Sequence, residues 1–226
     1  MKTVAIYRGQ LPDKFGVPRQ SGVVAELRGE VVLAPGFRDR NALRGLEGFD
    51  YVWLLWGFSA NRDEAWRPTV RPPRLGGNER VGVFATRSPY HPNAIGLSSV
   101  RLLGIDAEKC ILHVQGADLM DGTPIYDIKP YVAYADAHPD ARSGFVDAAA
   151  WQPLEVVIPE EIRKTMNAGD LPALIGTLAQ DPRPRYQDDP DKVYGMRFAD
   201  LEVHFQVRES ILTVISSAPA HPGSSE

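Results

Sequence analysis

Cysteine is all but missing. Cys110 is the only one among 226 residues, which excludes an intramolecular disulfide and any cysteine-rich zinc site. No apolar run approaches the roughly 20 residues a membrane span needs; the longest, Tyr51 to Phe58, is the length of a strand. Met1 to Gln10 carries no signal-peptide core, so a soluble, cytoplasmic protein is expected. An excess of positive charge is lacking too. The net charge of −4 gives no global attraction for nucleic acid, so any such binding must use a local basic patch. There is no G-x-G-x-x-G opening a helix after a strand, no P-loop and no G-x-S-x-G elbow, which removes the common nucleotide-binding and hydrolase signatures.

Glycine and proline are abundant, at 20 and 19 residues. Spread along the chain, they argue against a helix bundle and for short strands joined by turns. Thr3 to Tyr7, Val23 to Leu27, Val31 to Ala34, Tyr51 to Phe58, Val81 to Ala85, Ser99 to Ile105 and Ile111 to Val114 are apolar or β-branched, and most are closed by Gly, Pro or Asp. Asn41 to Glu47 predicts a short helix capped by Asn41 and ended by Gly48. No helical pattern separates the strands as a parallel Rossmann sheet requires. The fold expected is therefore mainly β: a small β-barrel N-terminal domain over 1–158. From Pro159 the pattern changes. Glu160-Glu161 opens one helix, Asp170 caps another carrying Leu174, Ile175 and Leu178, and Leu201 to Val207 with Ile211 to Ile215 forms a hairpin. A small α+β C-terminal appendage over 159–217 follows, and 218–226 reads as a disordered tail.

Four stretches are more polar than a plain barrel needs. Lys14 to Gln20 is a Gly/Pro-fixed loop offering Arg19 and Gln20, or simply a solvated surface loop. Val81 to Ser98 runs from a strand through a two-proline loop that presents Arg87, Ser88, His91 and Asn93, as a preformed polar site requires or as a rigid turn would. Ser88 and His91 are the one pair from which a serine hydrolase could be drawn. Gly116 to Tyr131 holds Asp118, Asp121 and Asp127. Their spacing is not that of an EF-hand and no metal site is expected; turn-capping or hydrogen bonding to a polyhydroxy or amino ligand remain. Asp181 to Gln187, with Arg183, Arg185 and Tyr186 on a proline-stiffened loop, suits a phosphate backbone and a stacked base, or a solvated loop. Arginines 67, 71, 74, 80 and 87 face only Glu79, a local basic stretch in an acidic chain.

Taken in order, KFGVPRQSGVV, RGLEGFDYVWLLWGF, WRPTVRPPRLGGNERVGVFATRSPYHPNAIGLSSV, DLMDGTPIYDIKPY and LAQDPRPRY resemble the family of tRNA N6-threonylcarbamoyladenosine methyltransferases, the TsaA-like single-barrel proteins. The resemblance runs from about residue 4 to about 207. It implies a β-barrel that binds S-adenosylmethionine without a Rossmann motif, a homodimer with the cofactor near the subunit interface, and methylation of N6 of threonylcarbamoyladenosine beside the anticodon of tRNA. It implies cofactor contacts at Pro18, Arg19, Gln20, Ser59, Ala60, Arg87, Leu97, Gln115, Gly116, Ala117 and Asp118. The chain departs from the family pattern Arg-Pro-Asn-Pro-Ile-Gly with His91 and Ala94, and from the polar pair usual after the Trp-rich strand with Ser59-Ala60.

The chemistry expected is an in-line methyl transfer governed by positioning. Arg19 or Arg87 would clamp the donor's carboxylate, Asp118 would accept from its ammonium or ribose, and Leu97 would wall its adenine. The urea-like acceptor nitrogen is a weak nucleophile, so Asp121 or Asp127 is expected as general base. The tRNA anticodon loop would meet Arg183, Arg185, Tyr186, His91 and Asn93. The rival readings are a methyltransferase of this fold with another acceptor, and a non-catalytic barrel that binds S-adenosylmethionine or RNA.

Overall fold

The computed structural model describes residues 1–61, 65–72, 75, 79–148, 152–183 and 189–220. Twelve strands follow in chain order among them: β1 Ala5–Gly9, β2 Arg28–Leu33, β3 Tyr51–Gly57, β4 Thr69–Val70, β5 Val81–Gly82, β6 Ile95–Asp106, β7 Ile111–Gln115, β8 Pro124–Pro130, β9 Glu155–Val157, β10 Tyr194–Phe198, β11 Leu201–Arg208 and β12 Ile211–Pro219. The helices are short: α1 Ala133–Asp136, α2 Phe145–Ala148, α3 Glu160–Arg163 and α4 Leu171–Ala179.

Six strands close into a barrel in the order β1-β2-β7-β6-β3-β8. Period-two alternation fills it: β1 sends Ala5 and Tyr7 inward, β3 sends Val52, Leu54 and Trp56, and β7 sends Leu112 and Val114. Strand β6 is long enough to pair with β3 through Arg101 and with β7 beyond it, and its bulge between Leu102 and Gly104 turns the corner. Closure brings Gly9, Arg28, Gly57, Ile95, Gln115 and Pro124 to one mouth.

The appendage is a four-stranded sheet, β10-β11-β12-β9, with α4 packed on it. Its core takes Leu11, Val24 and Leu27 from the segment between β1 and β2. At roughly 2 kcal/mol for each fully buried aliphatic side chain, that docking is a substantial part of the appendage's stability.

Several expectations are corrected by packing. Val23 to Leu27 is a turn rather than a strand, because Val24 and Leu27 point into the second core. Asn41 to Glu47 forms separate 3-10 turns, Arg40–Leu43 and Leu46–Gly48, and Asp39 rather than Asn41 caps the first by accepting from the Asn41 N–H at 2.8 Å. Only Val81–Gly82 of the stretch Val81 to Ala85 is extended. Strands β8 and β10 lie in segments where the sequence pattern predicts no strand. The strand β9 pairs in parallel with Ile211 to Thr213, so the second sheet begins before residue 159, and β12 continues to Pro219. The α4 helix and the β11–β12 hairpin lie where the sequence puts them. No helix among the described residues is long and apolar enough to cross a membrane.

Candidate cofactor and catalytic site at the barrel mouth

The mouth is built from a glycine turn. Gly116 takes φ of 77°, a left-handed conformation that glycine adopts without steric penalty. That turn redirects the chain after β7 so that its N–H donates to the Leu27 carbonyl at 2.8 Å and its carbonyl accepts from the Gly22 N–H at 2.8 Å. Two backbone bonds thereby clip the loop carrying Pro18, Arg19 and Gln20 onto the segment Gln115 to Asp118. Pro18 and Ala117 are buried beneath, Arg19 is exposed, and Gln20 accepts a hydrogen bond from the Arg87 guanidinium, which arrives from the loop after β5.

Asp118 sits at the centre. Its Oδ1 accepts from the Ser98 hydroxyl at 2.5 Å, and Ser98 in turn accepts from the Trp56 indole N–H at 2.9 Å. Burial pushes the Asp118 carboxyl above the ordinary aspartate range, while Ser98, its own N–H, the Arg87 guanidinium and the Ser21 N–H pull it back down. Burial, with the negative fields of Asp118 and Asp121, also raises the Tyr7 hydroxyl, so Tyr7 stays protonated. Asp118, Asp121 and Tyr7 therefore share one electrostatic neighbourhood.

The two candidate bases differ. Asp121 accepts from the Gly9 N–H at 3.1 Å and pairs with Arg8 at 3.2 Å, holding the end of β1 against the Asp121-Gly122 turn. Asp127 lies on the outer face of β8 beside Leu55; Lys129 at 2.8 Å, together with the Ile128 N–H, holds its carboxyl below the ordinary range.

Leu97 is 53% exposed on the outer face of β6, one strand from Leu55. Ser59 and Ala60 begin the 3-10 turn after β3. They are joined to the β6 end of the mouth through Phe58, whose N–H donates to the Ala94 carbonyl. His91 contacts the Thr86 carbonyl at 2.9 Å and so braces its own loop, and Asn93 is exposed. Ala94, standing where the family pattern has proline, has φ of 43°, a value the proline ring forbids. Arg183 makes a bidentate pair with Asp181, at 2.8 and 3.0 Å, so its guanidinium is turned back onto its own loop. Arg185 and Tyr186 lie outside the described residues. Among the described residues no group of three His, Cys, Asp or Glu could hold a metal ion.

Sequence reasoning overlooked Tyr7, Trp56 and Ser98. A signal existed: on β6 the inward positions Gly96, Ser98 and Val100 run from smallest to largest, opposite a tryptophan. A Cβ on Gly96 would lie 2.1 Å from the Trp56 ring, so only glycine admits the indole that reaches Ser98.

The closed barrel, its charged mouth and the helix-and-sheet appendage define a β-barrel protein with no Rossmann element among the described residues. Two family models cover the chain: the tRNA-methyltransferase O N-terminal domain matches residues 6–137 and the TrmO C-terminal domain matches 152–220. The chain belongs to the tRNA-methyltransferase O family. It is 39% identical to the tRNA (adenine(37)-N6)-methyltransferase of Escherichia coli K12, covering 96% of each chain. It is 42% identical to RcsF of Pseudomonas aeruginosa, assigned provisionally to the S-adenosylmethionine-dependent methyltransferases, over 95% of this chain and 96% of that one. A crystal structure of TrmO from Pseudomonas aeruginosa superposes with a TM-score of 0.77 at 35% identity, covering 96% of this chain and 97% of the other.

Proposed function

We propose that this protein transfers a methyl group from S-adenosylmethionine to N6 of threonylcarbamoyladenosine next to the anticodon of tRNA. The observation that carries the reading is the mouth's two opposite charges, the Arg87 guanidinium bonded to Gln20 and the Asp118 carboxyl that feels its field and accepts from the Ser21 N–H. A guanidinium whose positive field reaches a buried carboxyl matches the carboxylate and ammonium of an amino-acid moiety. The names of the E. coli and P. aeruginosa relatives point the same way.

S-adenosylmethionine supplies an electrophilic methyl on a sulfonium. Arg87, steadied by Gln20, binds carboxylate; Asp118 accepts from ammonium; Arg19, Pro18 and the backbone of Gln115 to Ala117 close the loop side. Leu97, Ser59 and Ala60 offer the wall on the β6 side. Asp121 is the base we favour over Asp127, because it shares the field of Tyr7 and Asp118, whereas Lys129 makes Asp127 a weaker base. The anticodon loop is taken by His91, Asn93, Arg183, Arg185 and Tyr186, the last two in particular. The functional unit is a homodimer in the cytoplasm, where its tRNA is; the exposed Ile95 and Leu97 on the outer face of β6 support burial against a second copy.

Nucleoside mass spectrometry of tRNA from a strain lacking the gene tests this: the N6-methylated threonylcarbamoyladenosine should vanish and return on complementation. Unaltered levels sink the proposal. A second reading, the same chemistry on another acceptor, is favoured by the left-handed Ala94 beside His91. Turnover of labelled donor with bulk tRNA, followed by identification of the labelled nucleoside, separates the two.

A further inference from the structure

We propose that Ser98, oriented by Trp56, is a positioning residue that keeps Asp118 ionised and aimed at the ammonium of the methyl donor. The inference rests on the functional reading above and adds to it two side chains from the barrel interior.

The proton inventory fixes the direction of the chain. The Trp56 indole nitrogen can only donate, and it donates to Ser98 Oγ at 2.9 Å. Ser98 has one hydroxyl proton and 1% of its surface exposed, so no water competes for it. With its oxygen already accepting from Trp56, the hydroxyl proton goes to Asp118 Oδ1 at 2.5 Å. A hydrogen bond donated in this direction favours the carboxylate over the carboxylic acid. An ionised Asp118 has no proton to give back, so the bond runs from serine to aspartate as long as the carboxyl is charged.

Every element packed around Asp118 bears on its charge. Ser98 comes from β6, the Ser21 N–H from the loop between β1 and β2, and the Arg87 guanidinium from the loop after β5. Tyr7 from β1 stands in the field of both Asp118 and Asp121. Burial works against ionisation and is the largest influence, so the donated bonds decide at which pH the site loses its negative charge. Of the groups that draw the Asp118 carboxyl down, Ser98 is the one that offers a side-chain hydroxyl and the one delivered by the barrel wall rather than by a loop.

The test uses the full chain and calorimetric titration with S-adenosylmethionine and with 5′-methylthioadenosine, which lacks the amino-acid moiety, between pH 8.5 and 5.5. Ser98→Ala should bind S-adenosylmethionine about tenfold more weakly at pH 7, as expected for losing one hydrogen bond to a charged group. Its loss of binding on acidification should begin at higher pH than in the wild type. Ser98→Thr, which keeps the hydroxyl, should stay close to wild type, and affinity for methylthioadenosine should not change. Without any ligand, carbon-13 titration of labelled aspartate should find the Asp118 carboxyl protonating at higher pH in Ser98→Ala. Trp56→Phe, which frees the serine proton to turn away, should show the same sign of change to a smaller extent. Equal affinities and pH profiles in wild type and Ser98→Ala overturn the proposal. So does a pH-independent loss shared by methylthioadenosine, which marks Ser98 as a packing residue only. Failure of the folded wild type to bind S-adenosylmethionine overturns the functional reading itself, and this inference with it.

Discussion

The side-chain amide of Gln10 donates to Asp170 Oδ1 at 2.6 Å, tying the end of a barrel strand to the N-terminus of the appendage's longest helix. The same side chain accepts from the Arg28 N–H at 2.9 Å, and the Gln10 carbonyl accepts from the Ala199 N–H at 2.6 Å. Three partners on three segments meet at one residue. Gln10→Ala should lower the free energy of unfolding by about 1–2 kcal/mol, measured by urea denaturation. A loss below a few tenths would mean that the apolar contacts alone hold the two parts together.

Arg87 is exposed and its guanidinium bonds to Gln20, so removing it threatens the site more than the fold. Arg87→Ala should weaken S-adenosylmethionine binding by about 1–3 kcal/mol in calorimetry, with thermal stability nearly unchanged. An unaltered affinity in the folded variant takes Arg87 out of the site.

The two carboxylates separate by kinetics. Asp121→Asn should lower kcat by about a hundredfold in a methyl-transfer assay, the usual range for a lost general base, and Asp127→Asn should change it by no more than about twofold. The reverse result would move the acceptor to the outer face of β8.

Asp136 carries the pH prediction. Its carboxylate accepts from the Val132 N–H at 2.8 Å and from the Trp53 indole at 2.9 Å, and both bonds, the backbone one foremost, hold its pKa below the ordinary value. A carboxyl with a depressed folded pKa stabilises the fold above its unfolded pKa and loses that contribution as pH falls through the folded one. Asp136→Ala should therefore be less stable than wild type at pH 7 and converge with it in acid. Parallel curves across the whole pH range would contradict the assignment.

Ala94, at φ of 43°, holds a conformation that disfavours a Cβ. Ala94→Gly should stabilise the protein by up to about 1 kcal/mol, and Ala94→Pro should destabilise it by more than that, read as shifts in the denaturant midpoint.

What the sequence makes legible follows a physical divide. The barrel's strands β3 and β7 announce themselves because half-buried strands alternate, and the α4 helix and the terminal hairpin do so by cap and turn. Val23 to Leu27 misleads because an apolar run says that residues are buried and not what they are buried against; Val24 and Leu27 go into the other core. Strand β8 hides because Asp127 and Lys129 on its outer face break the apolar pattern. The polar stretches at 14–20, 81–98 and 116–131 do converge, but only the folded chain shows that Arg87 joins the first two through Gln20 and Ser98 joins the last two through Asp118. Ser98 escapes notice because a serine in a strand looks neutral until the tryptophan diagonal to it on β3 is seen.

The segment between β1 and β2 leaves the barrel at Gly9, threads Leu11 and Val24 through the appendage's core, and comes back at Arg28. Gln20, which meets Arg87, rides on that same length of chain. The appendage is thus no passenger hung on the far end of the polypeptide: it is the anvil on which the loop of Gln20 is set. Any force that levers it away from the barrel, including the pull of a large RNA leaning on it, is delivered along this strap to the residues proposed to grip the methyl donor.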